Sequence, residues 1–207
     1  MSGGADHAAQ AVLAHALAHP PRLAGCRLVC VDGPSGAGKS TLARAVVEAA
    51  GPVPGGPGSV LGGVRLLVMD DHYEGWDGLP TVAERLRREV LAPLAAGRPG
   101  RYRRWDWVAD AWAEEHVVEP VGLLVLEGVG AASRAWADLT TTTVSVDAPA
   151  DLRLARAVAR DGEASRPHLE RWARSEAEVL PREGARERAD LLVDGASGRV
   201  AARSAEG

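Results

Sequence analysis

Gly33-Pro-Ser-Gly-Ala-Gly-Lys-Ser-Thr41 follows the apolar run Arg27-Leu-Val-Cys-Val31 and leads into Leu42-Ala-Arg-Ala-Val-Val-Glu-Ala-Ala50, a strand, a glycine-rich turn and a helix in succession. Gly33, Gly38, Lys39 and Ser40 occupy the defining places of the pattern G-x-x-x-x-G-K-[ST]. The small residues Ser35, Gly36, Ala37 and Gly38 let backbone N–H groups approach an anion, and the helix opened by Lys39, Ser40 and Thr41 aims its positive dipole end at it. The stretch therefore predicts a bound nucleoside triphosphate, with Lys39 reaching the β- and γ-phosphates and Ser40 holding magnesium. A plain glycine-rich turn needs neither side chain. Lys39 is also the only lysine among the 24 basic residues, the rest being Arg. Where a guanidinium fills every other cationic position, the lone ammonium marks a site that wants a compact charge and not a planar fork.

The 207 residues suit one domain, or one domain with a small lid, and 46% hydrophobic with 25% charged residues is a globular profile. A net charge of −4 offers no basic excess for nucleic acid. No apolar run approaches the ~20 residues of a membrane span, and the start of the sequence lacks a signal-peptide pattern, so the expected location is the cytoplasm. Cys26 and Cys30 are read as two buried, reduced thiols.

Residues 5–19 predict an Ala-rich helix, with His15 and His19 on one face and Pro20-Pro21 as its stop. That helix could pack on the domain or on a second copy, which leaves a homo-oligomer open. Residues 51–59 read as a Gly/Pro connector. Val64 to Met69 is an apolar strand ending at Asp70-Asp71. A helix is expected over 81–96, with a Thr81/Glu84 capping box, a kink at Pro93 and a stop at Gly97. Residues 101–107 are a short extended candidate. Val121 to Leu126 predicts a strand ending at Glu127-Gly128, and 141–146 another. Helices follow at 149–160 and 168–180, separated by the break at 161–167, and 189–195 closes the series with a strand. The domain is expected to span 1–195, with 196–207 a poorly ordered tail. Continuous apolar strands alternating with helices imply an α/β fold, a parallel sheet covered by helices on both faces. In such folds ligands sit at the carboxyl ends of the strands, which singles out the phosphate loop, Asp70 with Asp71, and Glu127.

Across residues 26–194 the motifs resemble the uridine kinase branch of the P-loop kinases. An Asp ending the second strand, with a Tyr three residues on, is matched by Asp70 and Tyr73. Gly75-Trp76-Asp77-Gly78 is similar to the family's next acidic segment, and Trp105-Asp106-Trp107 to its Y-D-F element. Leu124-Val-Leu-Glu127-Gly128 matches the acidic strand end, and Val144-Ser-Val-Asp147 through Arg160-Asp161 the strand and Arg-rich helix before the lid.

The resemblance implies a P-loop NTPase three-layer fold with a small Arg-containing lid, and an ATP- and magnesium-dependent kinase acting on the 5′-hydroxyl of a nucleoside, most naturally uridine or cytidine. It implies Asp70 as the base that receives the hydroxyl proton, with Asp71 as a rival, and Glu127 as the acidic residue that orders magnesium. Asp77 is similar to the residue that binds the ribose diol. Six of the eight Trp and Tyr residues fall between Tyr73 and Trp112, and a nucleobase presents a flat face for stacking. Tyr73, Trp105 and Trp107 are thus the expected base pocket, the two tryptophans standing where the family carries Tyr and Phe. Arg156, Arg160 and Arg166 flank the 161–167 break and could deliver cations over the migrating phosphoryl group, Arg160 matching the lid pattern best. A kinase for another small hydroxylated metabolite, such as a sugar or vitamin precursor, and a regulatory nucleotide-binding ATPase are the other readings.

Overall fold

The computed structural model describes residues 2–51 and 62–202, so most of the expected 51–59 connector lies outside the described residues. Six strands form one sheet in the order β2-β5-β1-β6-β7-β8: β1 (Arg27–Asp32), β2 (Val64–Val68), β5 (Leu123–Glu127), β6 (Thr140–Asp147), β7 (Leu191–Asp194) and β8 (Val200–Ala202). All pairs are parallel except β7 with β8. Burial on both faces follows from the two-residue alternation of side chains along each strand. Leu28, Cys30, Leu124 and Leu126 feed one core, and Val29, Val31, Leu123 and Val125 the other.

The second core is covered by α1 (Ser2–Ala18) and α2 (Lys39–Ala49), through Val12, Ala16, Leu42 and Val46. His15 Nδ1 lies 3.0 Å from Thr142 Oγ1, so this helix packs on its own sheet. The first core is covered by α3 (Val82–Leu86), the π-helical turn Arg87–Leu91, α4 (Ala92–Ala95), and α6 (Arg166–Glu183) through Trp172 and Val179. The wide π turn stands just before Pro93, which has no N–H to offer and whose ring would press on the carbonyl four residues back. No capping box forms at Thr81; its hydroxyl donates to the Gly78 carbonyl at 3.3 Å. The expected 161–167 break is short: α5 (Ala150–Asp161) ends at Gly162, a 3-10 turn spans Glu163–Ser165, and α6 follows at once, with α7 (Ala185–Arg188) after it.

Two expectations are corrected. Residues 101–107 are one arm of an antiparallel hairpin, β3 (Gly100–Asp106) with β4 (Ala111–Val118), separate from the main sheet. Its second arm hides in a polar sequence because cross-strand charge pairs, Arg101 with Glu115 at 2.8 Å and Arg104 with Glu114 at 2.7 Å, replace apolar burial. The tail expected from Ala196 onward is ordered as far as Ala202. The Asp194 carboxylate accepts the N–H of Ala196 at 2.8 Å and the Ser197 hydroxyl at 2.8 Å, which turns the chain back so that β8 pairs with β7.

Asp32, at the end of β1, is wholly buried, and its carboxylate accepts three backbone N–H groups: Gly33 at 2.6 Å, Gly130 at 2.8 Å and Ala132 at 2.9 Å. It thereby fixes the loop after β1 to the loop after β5. Removing it strands several buried donors, so Asp32→Ala is expected to cost about 3 kcal/mol of unfolding free energy or more. Asp32→Asn, which keeps one acceptor oxygen, is expected to lose less, and urea unfolding followed by circular dichroism measures both.

Candidate active site

The phosphate loop follows from local geometry. Gly33 has φ 143° and a Cβ there would lie 1.9 Å from the Val146 carbonyl oxygen; at Gly36, φ 74°, a Cβ would meet the Arg153 carbonyl oxygen at 2.2 Å. Only glycine lets the loop pass between β6 and α5 this closely. α2 then starts at Lys39 with Gly38 as its left-handed N-cap, leaving the first-turn amides to face an anion. Lys39 is buried, its ammonium donating to the Pro34 carbonyl at 2.9 Å, so the charge is folded over the loop.

A cleft of about 560 Å³ opens above this loop, at the carboxyl ends of β1, β2 and β5. Its lining includes Ser35, Gly36, Gly38, Lys39, Ser40 and Thr41 from the loop, Asp70 and Tyr73 beyond β2, Glu127 at the end of β5, and Arg160 at the end of α5. The sequence-predicted donor residues and the carboxylates at the strand ends are thus brought to one place; Gly33 and Ala37 shape the loop without lining the cleft.

Asp70 and Asp71 do not alternate along a strand, because β2 stops at Val68 and both sit in a 3-10 turn, Met69–Asp71. Asp70 turns into the cleft. Crowding by protein raises its pKa above the usual Asp range, while Lys39 and Arg160 pull it back. Asp71 turns away and accepts the Tyr102 hydroxyl at 3.3 Å, under the hairpin. Glu127 is 4% exposed; burial likewise raises its pKa, opposed by Lys39 and by the nearby Ser40 side chain. A serine hydroxyl and a carboxylate lining the same cleft are an all-oxygen donor pair that fits magnesium, a cation that takes few protein ligands and keeps several waters. Arg160 is held by a bidentate pair with Asp161, at 2.7 and 2.8 Å, and both residues line the cleft.

The acceptor side differs in part from expectation. Tyr73 is buried, its hydroxyl donating to the Val129 carbonyl at 2.7 Å while its ring forms cleft wall. Trp107 also lines the cleft, and its indole N–H donates to the Asp70 carbonyl at 3.0 Å. Trp105 does not reach the cleft. It stays within β3 and pairs across the strands with Trp112, ring centroids 4.9 Å apart, and Arg85 caps Trp112 at 4.2 Å, whereas Trp107 lies beyond the end of the strand. Asp77 and Arg166 also lie outside the lining: Asp77 pairs with Arg171 of α6, and Arg166 with Glu163.

In their place stand Trp76, Leu169 and Trp172, with Arg156 beside the loop, donating to the Gly36 carbonyl at 3.3 Å and the Gly195 carbonyl at 3.1 Å. Trp76 meets Trp107 at 5.1 Å and Trp172 at 6.2 Å, and Trp172 meets Tyr73 at 4.7 Å, all edge to face. A sequence signal for Trp172 exists in the buried stripe Leu169, Trp172, Glu176, Val179, spaced three and four apart on α6.

This arrangement is an α/β fold similar to that of P-loop kinases. Among solved structures, a possible uridine kinase from Bacillus stearothermophilus superposes with a TM-score of 0.64 at 19% identity, covering 90% of this chain and 97% of its own. A protein assigned as a fructose transport system kinase from Silicibacter sp. TM1040 superposes with a TM-score of 0.58 at 23% identity, covering 89% of this chain and 94% of its own. No protein-family model matches the sequence, and no curated protein matches it. Among the described residues no helix is long and apolar enough to cross a membrane.

The two hairpin tryptophans are expected to behave oppositely. Trp105→Ala removes a buried ring and is expected to cost about 3 kcal/mol or more of stability. Trp107→Ala, at a partly exposed position, is expected to leave the thermal midpoint within a few degrees while weakening acceptor binding. Thermal unfolding beside steady-state kinetics separates the two.

Proposed function

We propose that the protein is a kinase that moves the γ-phosphoryl group of ATP to a hydroxyl of a small molecule, and that the acceptor is the 5′-hydroxyl of a nucleoside such as uridine or cytidine. The observation that carries this reading is Asp70, an exposed carboxylate that shares one cleft with Lys39, Glu127 and Arg160. The acceptor hydroxyl would give its proton to Asp70 as its oxygen forms a bond to the γ-phosphorus and the bond from that phosphorus to the ADP oxygen breaks. Lys39 and the loop amides would hold the β- and γ-phosphates, and Arg160 would exchange Asp161 for the migrating group, meeting the charge that develops on it. Magnesium, held by Ser40 and Glu127, supplies charge neutralisation on the phosphate oxygens when bound.

The acceptor half of the cleft supports a neutral, flat substrate. Its walls are Tyr73, Trp76, Trp107, Leu169 and Trp172, and the cations lining the cleft are Lys39 and Arg44 on α2, Arg156 bound to the loop, and Arg160 bound to Asp161. A nucleotide acceptor would need guanidinium groups for its own phosphate, and of those lining the cleft Arg156 is bonded to the Gly36 and Gly195 carbonyls and Arg160 to Asp161. Indole faces stack on bases, with about 1–3 kcal/mol per base. They also suit the C–H faces of a sugar, which keeps a sugar kinase as the second reading, in line with the neighbour assigned to fructose transport.

Release of ADP by the purified protein, measured over uridine, cytidine, purine nucleosides, fructose and a vitamin alcohol, tests the proposal. Turnover with pyrimidine nucleosides is expected. Turnover confined to other alcohols selects the second reading, and release indifferent to every acceptor selects a regulatory ATPase. Asp70→Asn is expected to abolish transfer while ATP still binds, by calorimetry; retained transfer would remove Asp70 as the base. A base works only when deprotonated, and the Asp70 pKa is displaced upward. Activity should therefore fall with decreasing pH along a limb lying above the usual Asp value of about 3.9. A pH profile of kcat/KM with the limb at or below that value would contradict the assignment.

A further inference from the structure

The buried stripe of α6 contains one charged member. Glu176 is 4% exposed, between Trp172 and Val179, and its Oε1 accepts the backbone N–H of Ser35 in the phosphate loop at 2.9 Å. The approach is from behind the loop. Ser35 lines the cleft described above, whereas Glu176 lines a second, half-open pocket of about 370 Å³ with Pro34, Asp147, Arg153, Ala177 and Leu180. That pocket is lined by α6 on one side and by the loop and the end of β6 on the other. The hydrogen bond bridges the gap.

One helical turn before Glu176, about 6 Å along the axis, Trp172 stands in the wall of the cleft, edge on to Tyr73 and Trp76. A single rigid turn of helix therefore touches the phosphate loop with a carboxylate and the acceptor wall with an indole. A buried carboxylate is costly unless its oxygens are bonded, and an N–H donating to an anion makes a stronger bond than one donating to a neutral acceptor. We propose that Glu176 is a positioning residue that ties the phosphate loop to the aromatic acceptor wall through α6, so that the shape of one half of the site sets the shape of the other. The proposal deepens the kinase reading above and rests on it for its kinetic consequence, but the tie itself exists without any ligand.

The test compares wild type, Glu176→Ala and Glu176→Gln, the last keeping an oxygen that can accept the Ser35 N–H. In nucleotide-free protein, amide exchange resolved by NMR should show the Ser35 N–H protected most in wild type and less, though still protected, in the Gln variant, whose acceptor oxygen is neutral. In the Ala variant it should exchange about ten-fold faster or more, the worth of one hydrogen bond to a charged group. Equal exchange in all three proteins would overturn the tie, independently of any turnover. In the kinetic arm, with whichever acceptor the ADP-release panel selects, Glu176→Ala should raise the acceptor KM about ten-fold. The KM for ATP should move much less, and Gln should restore the acceptor KM. A rise confined to the KM for ATP would mean that Glu176 supports only the loop and would overturn the coupling. Failure of the kinase reading looks different: wild type then shows no acceptor-dependent release of ADP, while the exchange result stands on its own.

Discussion

A buried carboxylate bonded to backbone amides holds this molecule's working end together. Asp32 spends its oxygens on three backbone amides from two loops. Burial pushes its pKa up, and the amides and the field of Lys39 oppose that shift. Because β1 lies between β5 and β6, whatever is fixed at its end registers both neighbours. Val31 pairs with Glu127 in the adjacent strand, so the loop that carries Lys39 and Ser40 and the strand that carries Glu127 share one frame of reference. The placement of the cation, the hydroxyl and the carboxylate is a property of this joint before any ligand arrives.

Much of that arrangement was legible in the sequence, because it is written locally. A strand, a glycine-rich turn and a helix in immediate succession admit few geometries, and the apolar runs ending at Asp70 and Glu127 locate strand ends without tertiary information. What was not legible depends on contacts distant in the chain. Asp32 reads as the last polar residue before a loop, and nothing nearby announces partners about a hundred positions on. Trp105 and Trp107 stand two apart and look equivalent. The end of β3 at Asp106 falls between them, so one indole pairs with Trp112 inside the hairpin and the other lines the cleft. Asp77, in a segment resembling a diol-binding one, is taken up by Arg171 from α6, an encounter no local pattern encodes. Trp172 and Glu176 carry a weak signal, a periodic stripe with a carboxylate inside it, that composition alone passes over.

Arginine use illustrates the same division. The guanidinium groups near the loop end on backbone carbonyls or on adjacent carboxylates, as Arg156 on Gly36 and Gly195 and Arg160 on Asp161. A planar fork suits such fixed, multiple acceptors. The single lysine, by contrast, rests on one carbonyl, Pro34, and can exchange it for a phosphate oxygen without undoing a network.

The hairpin of β3 and β4 has a separate consequence. It forms its own two-stranded sheet, apart from the six strands that carry the phosphate loop and the carboxylates, and reaches the cleft through Trp107 and its bond to the Asp70 carbonyl. Its arms serve the first core through Tyr102 and Val118, while its tip, with Trp107 and Val108, is exposed. The architecture thus leaves the tip of the hairpin, and not its arms, open to change. Editing that tip would reshape one wall of the cleft and leave the phosphate loop and the carboxylates in place.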